Sequence, residues 1–379
     1  LRRAFKFRLY PNRDQERELG VMVETHRRLY NACLEQRKLA YELDGVSLNY
    51  AHQSSWFKNQ RLVNKWFEKL NFSSAQATMR RLDRSFQAFF RRIKTGDKPG
   101  YPRFKAQGRF DSVEFPSYGD GIRLLPTGKL RVQHVGLVKC KAHRPVEGEV
   151  KTATLKLEGD KWHVILSCDL GEVVMPASNN PPVGIDVGLE SFLTTSDGHH
   201  EPNPRYLKSE LPALRRAGRA VSRKKKGGKN RKKAAKNLRR LYAKVKNLRR
   251  DHGHKTALNL CRRYGFIAVE GLNIKGMVRN HRLSRAIADA SWGGFLATLR
   301  HKAESAGVSV VEVNPCMTSQ TCSGCGCEVR KKLSVRVHRC PHCGLVLHRD
   351  INAARNILAR ALRARTEPVG VNGKTVSVA

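Results

Sequence analysis

Two short runs decide how this chain is read: Thr318-Ser319-Gln320-Thr321-Cys322-Ser323-Gly324-Cys325-Gly326, and then Cys340-Pro341-His342-Cys343-Gly344-Leu345-Val346-Leu347-His348-Arg349-Asp350-Ile351-Asn352-Ala353-Ala354-Arg355-Asn356-Ile357-Leu358. Cys322, Cys325, Cys340 and Cys343 form two Cys-x-x-Cys pairs with 14 residues between them, a spacing that lets each pair present two sulfurs to one tetrahedral zinc ion. Ser323, Gly324, Gly326 and Gly344 suit the tight turns such knuckles need. Buried free thiols or disulfides are the alternative. Four thiolates leave zinc no open coordination position, so one structural Zn²⁺ is expected, and any chemistry must come from elsewhere. The hairpin leads straight into Asp350 at the mouth of a helical pattern.

The chain has 379 residues and 40 % hydrophobic content, enough for two or three cores. Lys and Arg number 73 against 32 Asp and Glu, a formal net charge of +41. A compact chain so charged repels itself unless a polyanion neutralises it, so nucleic acid is the expected partner. No apolar run reaches the ~20 residues of a membrane span and no amino-terminal signal pattern is present, so no membrane is expected. Six of the ten cysteines (Cys33, Cys140, Cys168, Cys261, Cys316, Cys327) lie outside the knuckles without framework spacing. That is reducing-compartment usage and points to the cytoplasm.

Arg2–Tyr10 alternates as a strand and stops at Pro11-Asn12. Helical spacing follows over 13–43 and 56–70, and again from Ser73, where Ser73 and Gln76 have capping-box spacing, through Met79, Leu82, Phe86, Phe89 and Phe90. The aromatic stripe is read as core rather than as a platform for bases. Gly and Pro at 96–102 end the helical block. Short β-branched runs between 112 and 170, with Glu158-Gly159-Asp160 as a hairpin turn, predict a small antiparallel barrel that the first strand joins, with the helices as an insertion.

After the linker at 175–182, Val183-Gly184-Ile185-Asp186-Val187-Gly188 reads as a strand carrying one acid, and Phe266–Glu270 as a second. Between them lies a basic helical hairpin broken near Gly227-Gly228; its run Arg223-Lys224-Lys225-Lys226 is either a solvated loop or a phosphate contact. A helix over 292–306 and a strand over 308–313 complete an α/β layering. Asp186, Glu270 and Asp350, 84 and 80 residues apart, each sit at the edge of an apolar element. Together they suggest hard oxygen ligands converging on divalent cations.

Gly184-Ile185-Asp186-Val187-Gly188, Val269-Glu270-Gly271-Leu272-Asn273, the two quoted runs, Leu9-Tyr10-Pro11-Asn12, Tyr30-Asn31 and Lys98-Pro99-Gly100-Tyr101-Pro102-Arg103-Phe104-Lys105 together resemble the TnpB family, RNA-guided DNA endonucleases encoded by insertion sequences and related to type V CRISPR effectors. The resemblance spans nearly the whole chain. It implies a split RuvC-like RNase H-fold nuclease with an inserted four-cysteine zinc hairpin, and a wedge-like barrel interrupted by a helical recognition lobe. The implied boundaries are 1–10 and 106–175 for the barrel, 11–105 for the helical lobe, 176–317 and 348–364 for the nuclease, 318–347 for the zinc hairpin and 365–379 for a flexible tail.

The resemblance makes Asp186, Glu270 and Asp350 the catalytic acids and the ligands of two Mg²⁺ ions, with Asp186 bridging both, and Cys322, Cys325, Cys340 and Cys343 the zinc ligands. Guide RNA from the transposon end and target double-stranded DNA are the implied partners, with a monomer favoured. A loose local match carries over Ser73, Gln76 and Thr78 as nucleic-acid contacts, and Arg80 of the same helix and the run Arg223, Lys224, Lys225 and Lys226 are expected to join them. Two departures are His348, where relatives often have an acid, and Cys327, a fifth thiol beside the first knuckle. A nuclease-inactive RNA-guided repressor and a guide-independent transposase or junction nuclease are the competing readings.

Overall fold

The structure is a computed structural model that describes residues 1–172, 175–332 and 334–366. Most of the expected tail, from 367 on, lies outside the described residues. The chain divides into two compact units, Leu1–Val173 and Val174–Ala379.

In the first unit β1 (Arg2–Tyr10) is followed by four helices, α1 (Arg13–Asp44), α2 (Tyr50–Val63), α3 (Lys65–Glu68) and α4 (Phe72–Lys94). Six strands come next: β2 (Ser112–Phe115), β3 (Ile122–Leu124), β4 (Lys129–Val132), β5 (Gly136–Lys141), β6 (Glu149–Glu158) and β7 (Lys161–Asp169). They form a seven-stranded sheet in the order β2-β6-β7-β1-β5-β4-β3, and every pairing is antiparallel. The first strand thus sits in mid-sheet, between β7 and β5, before the chain leaves for the helices.

The two edge strands, β2 and β3, are joined by only six residues. Within that link Tyr118 N–H donates to the Lys151 carbonyl of β6 while its hydroxyl accepts from Leu124 N–H of β3. The sheet therefore curls into a nearly closed barrel around Phe5, Phe7, Val113, Phe115, Ile122, Leu130, Val138, Leu155 and Val164. The turn from β6 to β7 puts Gly159 at φ 66°, a left-handed conformation that glycine adopts without penalty.

The helices pack their own core around Leu29, Leu34, Phe57, Phe67, Met79 and Leu82. Of the aromatic stripe on α4, Phe86 is buried, whereas Phe90 is 52 % exposed. Phe89 and Phe90 meet each other, and Phe89 meets Tyr101, edge-on. Helix α4 is capped two residues earlier than the Ser73–Gln76 spacing implies. The Asn71 amide nitrogen is held by Asp120 and Gln133, which aims its Oδ1 at Ser74 N–H, and Ser73 donates to that same oxygen.

The second unit contains β8 (Pro182–Val187), β9 (Ser191–Thr195), β10 (His200–Pro202), the helices α5 (Tyr206–Ser222) and α6 (Lys229–Arg263), and β11 (Phe266–Glu270). Then follow α7 (Ile274–Met277), α8 (Ser284–Ala290), α9 (Trp292–Glu304), β12 (Ser309–Val313), the short pair β13 (Val337–Arg339) and β14 (Val346–His348), and α10 (Arg349–Thr366). The main sheet has the order β10-β9-β8-β11-β12. Strands β8, β11 and β12 run parallel, and β9 and β10 turn back antiparallel.

Side chains alternate between the two faces of this sheet. Val183, Ile185, Ile267 and Val269 enter one core with Leu260, Phe295 and Leu299 from α6 and α9. Phe266 and Ala268 face the other way, into a core with Ile357 and Ala361 of α10. By the same alternation Gly184, Asp186 and Glu270 lie on the face covered by α10.

Candidate metal centres

Strands β8 and β11 pair in parallel with Ile185 opposite Val269. The next residue on each is an acid, so Asp186 and Glu270 stand side by side at the carboxyl ends of neighbouring strands, where open α/β sheets hold ligands. Helix α10 brings the third. A Cβ built on Gly184 would overlap the Ala354 carbonyl oxygen and reach within 2.8 Å of Leu358 N, so only glycine lets the helix settle on β8. Two residues along a strand advance about 6.6 Å and four along a helix about 6 Å. Gly184 against Ala354 therefore sets Asp186 level with Asp350, one turn nearer the helix start.

The electrostatics agree with this placement. Asp186 is pushed well above the usual carboxylate range by burial, then by the charges of Glu270 and Asp350, against the opposing pull of Arg349 and Arg336. Burial also raises Glu270, partly offset by a 2.5 Å hydrogen bond from Thr318 Oγ1. Asp350 is 7 % exposed and is approached by Arg349 Nε at 3.3 Å and Arg336 Nη1 at 3.9 Å. His348, the departure noted in the sequence, has Nδ1 3.9 Å from Asp350 and its ring edge-on to His200 at 4.9 Å. An acid raised by burial and by the charges of two neighbouring carboxylates, all held by two strands and a helix, belongs to a donor set suited to hard divalent cations.

The four cysteines are closer still. Among the described residues they are the one group of three or more His, Cys, Asp or Glu whose ligand atoms all lie within 4.8 Å of one another. Sγ of Cys322 is 3.6 Å from that of Cys343, and Cys325 is 3.6 Å from Cys340. A tetrahedron with Zn–S bonds of about 2.3 Å requires sulfurs about 3.8 Å apart, so the set fits zinc. Gly326 (φ 80°) and Gly344 (φ 73°) close the two knuckles, donating to the Cys322 and Cys340 carbonyls. Gly324 N–H points at Cys322 Sγ from 3.4 Å. Cys327 accepts from Cys322 N–H through its backbone carbonyl and stands outside the four-sulfur group.

The expected nucleic-acid contacts fall in two places. Thr78 is buried and gives its hydroxyl to the Ser74 carbonyl. Gln76 Nε2 lies 3.5 Å from Ser54 Oγ, and the Arg80 guanidinium sits 4.9 Å over the Tyr50 ring. Arg223, Lys224, Lys225 and Lys226 are exposed at the tip of the α5–α6 hairpin. Arg231 holds that tip by donating to the Val221 and Lys224 carbonyls.

Several residues of the site escaped sequence reasoning: Thr318, Arg336, Asn352, Asn356 and Arg360. The last three recur every four residues along α10, a spacing visible in the sequence whose meaning depends on what the helix packs against.

A family profile described as "Probable transposase" (IS605 OrfB) matches residues 166–281, a "Cas12f1-like, TNB domain" matches 292–357, and a "Helix-turn-helix domain" matches 1–45, which fold here as β1 and the single helix α1. A protein of Streptomyces pristinaespiralis named "Putative RNA-guided DNA endonuclease" is 32 % identical over 376 residues, covering 96 % of this chain and 90 % of its own. InsQ of Escherichia coli K12, with the same description, is 29 % identical over 377 residues, covering 94 % and 91 %. Among solved structures, the mini-RNA-guided endonuclease CRISPR-Cas_phi3 is 11 % identical, with a TM-score of 0.48 over 95 % of this chain and 92 % of its own. With a relative this similar along almost its full length, the chain belongs to the TnpB (IS605 OrfB) family.

Proposed function

We propose that this protein is an RNA-guided DNA endonuclease of a transposon, and that Asp186, Glu270 and Asp350 form its hydrolytic centre within a split RuvC-like domain. The observation that carries the reading is that acids from three distant stretches share one sheet face, with Asp186 electrostatically coupled to the other two. Their mutual repulsion is relieved when divalent cations, Mg²⁺ in this proposal, bind between them. A pair of such ions supplies the Lewis acidity for phosphodiester hydrolysis. Asp186, on which the charges of both other acids act, would hold the ions together with them. Arg336 and Arg349 orient Asp350 and draw a backbone phosphate toward the acids. The zinc-loaded cysteine hairpin is the rigid base from which α10 projects Asp350.

The charge of +41 suits a chain that holds a long guide RNA together with its DNA heteroduplex. The exposed tip Arg223–Lys226 and the neighbourhood of Gln76 and Arg80 are proposed as contacts to RNA and to duplex DNA respectively.

The test is cleavage of DNA matched to the RNA that copurifies with the protein, in the presence of Mg²⁺. Asp186→Ala should abolish cutting and retain RNA binding. Undiminished cutting by that variant overturns the assignment. Copurified RNA consisting of random fragments would favour a guide-independent junction nuclease.

A further inference from the structure

The segment joining β12 to the first knuckle is fastened to α10 by a ladder of three side chains spaced four residues apart. Arg360 Nη1 donates to the Asn314 and Cys316 carbonyls at 2.9 and 2.5 Å. Asn356 Nδ2 donates to the Thr318 and Thr321 carbonyls at 2.8 and 2.7 Å. Asn352 donates to the Thr321 carbonyl at 2.7 Å and accepts from Ser323 N–H at 2.8 Å. Asn352 is 0 % exposed and Asn356 8 %. Unpaired amides at such depth would be costly, so the ladder permits one arrangement of the segment.

The ladder fixes Thr318, which is 4 % exposed. Its hydroxyl has one proton and two acceptors in reach, Glu270 Oε1 at 2.5 Å and the Pro315 carbonyl at 3.2 Å. The closer, charged acceptor takes it. Glu270 has three rotatable side-chain bonds, and this hydrogen bond pins its carboxylate at the end of β11.

We propose that Thr318 is the positioning residue for Glu270: its hydroxyl, held by the α10 ladder, pre-sets the Glu270 carboxylate for a divalent cation. The same helix then supplies Asp350 through its first turn and orders Glu270 through Asn356 and Thr318, so two of the three acids take their geometry from one element. This inference rests on the metal-binding reading proposed above.

The test uses the full-length chain freed of RNA, titrated with Mn²⁺ and followed by the EPR signal of the free ion. Thr318→Val keeps the side-chain volume and removes the hydroxyl; Thr318→Ser keeps the hydroxyl. The inference expects Val to weaken the tightest Mn²⁺ site by about tenfold, the loss of one charge-assisted hydrogen bond. It expects Ser to stay within about threefold of the parent, and both variants to keep their zinc content and melting temperature. Parental affinity in Thr318→Val overturns the inference. So does equal weakening in both variants, or loss of zinc from Thr318→Val, since the hydroxyl would then matter only to the fold. Asp186→Ala in the same titration separates the two readings: if it binds Mn²⁺ as the parent does, the acid-site reading itself fails, whatever Thr318 does.

Discussion

Gly184 on β8 meets the carbonyl of Ala354 on α10 so closely that a single methyl group has no place between them. Two residues further along the strand and one turn back along the helix are Asp186 and Asp350. The closeness of that packing therefore sets the relation between the acids as well as the stability of the unit.

Gly184→Ala must push α10 off the sheet, because the obstacle is backbone on both sides. A loss of about 3 kcal/mol in the second unit is expected, at the upper end of overpacking costs. Urea unfolding followed by circular dichroism would measure it. DNA cutting should fall with it, since Asp350 is displaced from Asp186. Unchanged stability would mean that the helix does not rest on β8.

A second expectation concerns the basic hairpin. The α5 N-terminus has no side-chain cap of its own, because Arg205 at the N-cap position sends its guanidinium to the Leu189 carbonyl instead. Asp289, 9 % exposed, supplies one from α8, accepting from Leu207 and Lys208 N–H and pairing with Arg249 of α6 at 2.8 Å. One carboxylate thus ties both hairpin helices to the domain. Asp289→Ala leaves a half-buried guanidinium and two amides unpaired and should cost about 2 kcal/mol, with Asp289→Asn roughly half of that. Hydrogen exchange should accelerate over 207–263 in the Ala variant, and protection equal to the parent would refute the tie.

The first unit should show acid sensitivity traceable to one ring. His26 on α1 is 1 % exposed and wedged between the Met22 carbonyl at Nδ1 and Ser74 Oγ at Nε2. Burial lowers its pKa from 6.5 to about 4. The folded state holds it neutral while the unfolded chain takes a proton near pH 6.5. Its contribution is therefore whole above that pH and is lost as pH falls toward 4. From pH 7 to pH 5 the first unit should lose roughly 2 kcal/mol on this account. His26→Gln should flatten the dependence in urea titrations at the two pH values. An equally steep slope in the variant would place the sensitivity elsewhere.

Much of this architecture can be read before any coordinates because its signals are local. Two Cys-x-x-Cys pairs state their geometry in the spacing, an alternating run such as Arg2–Tyr10 states a strand, and Gly159 between β6 and β7 states a turn. The first acid shows itself as a charge among Val183, Ile185 and Val187. In each case the physical cause, ligand reach, period or backbone freedom, acts over a few residues, so a few residues are enough to reveal it.

What tertiary structure alone decided is which distant groups meet. The sequence offers Ser73 as the cap of α4, yet the cap is Asn71, whose amide finds Asp120 and Gln133. Thr318 looks like any knuckle threonine until Glu270, 48 residues earlier, lies against its hydroxyl. Asn352, Asn356 and Arg360 look like an ordinary polar helix face until the carbonyls of 314–321 arrive beneath them. The sequence by itself determined the elements, the thiol set and the charge that calls for a polyanion. Long-range register and packing decided that Gly184 would seat α10, and with it the level at which Asp186, Glu270 and Asp350 face one another, because those contacts join residues whose separation along the chain carries no trace of their distance in space.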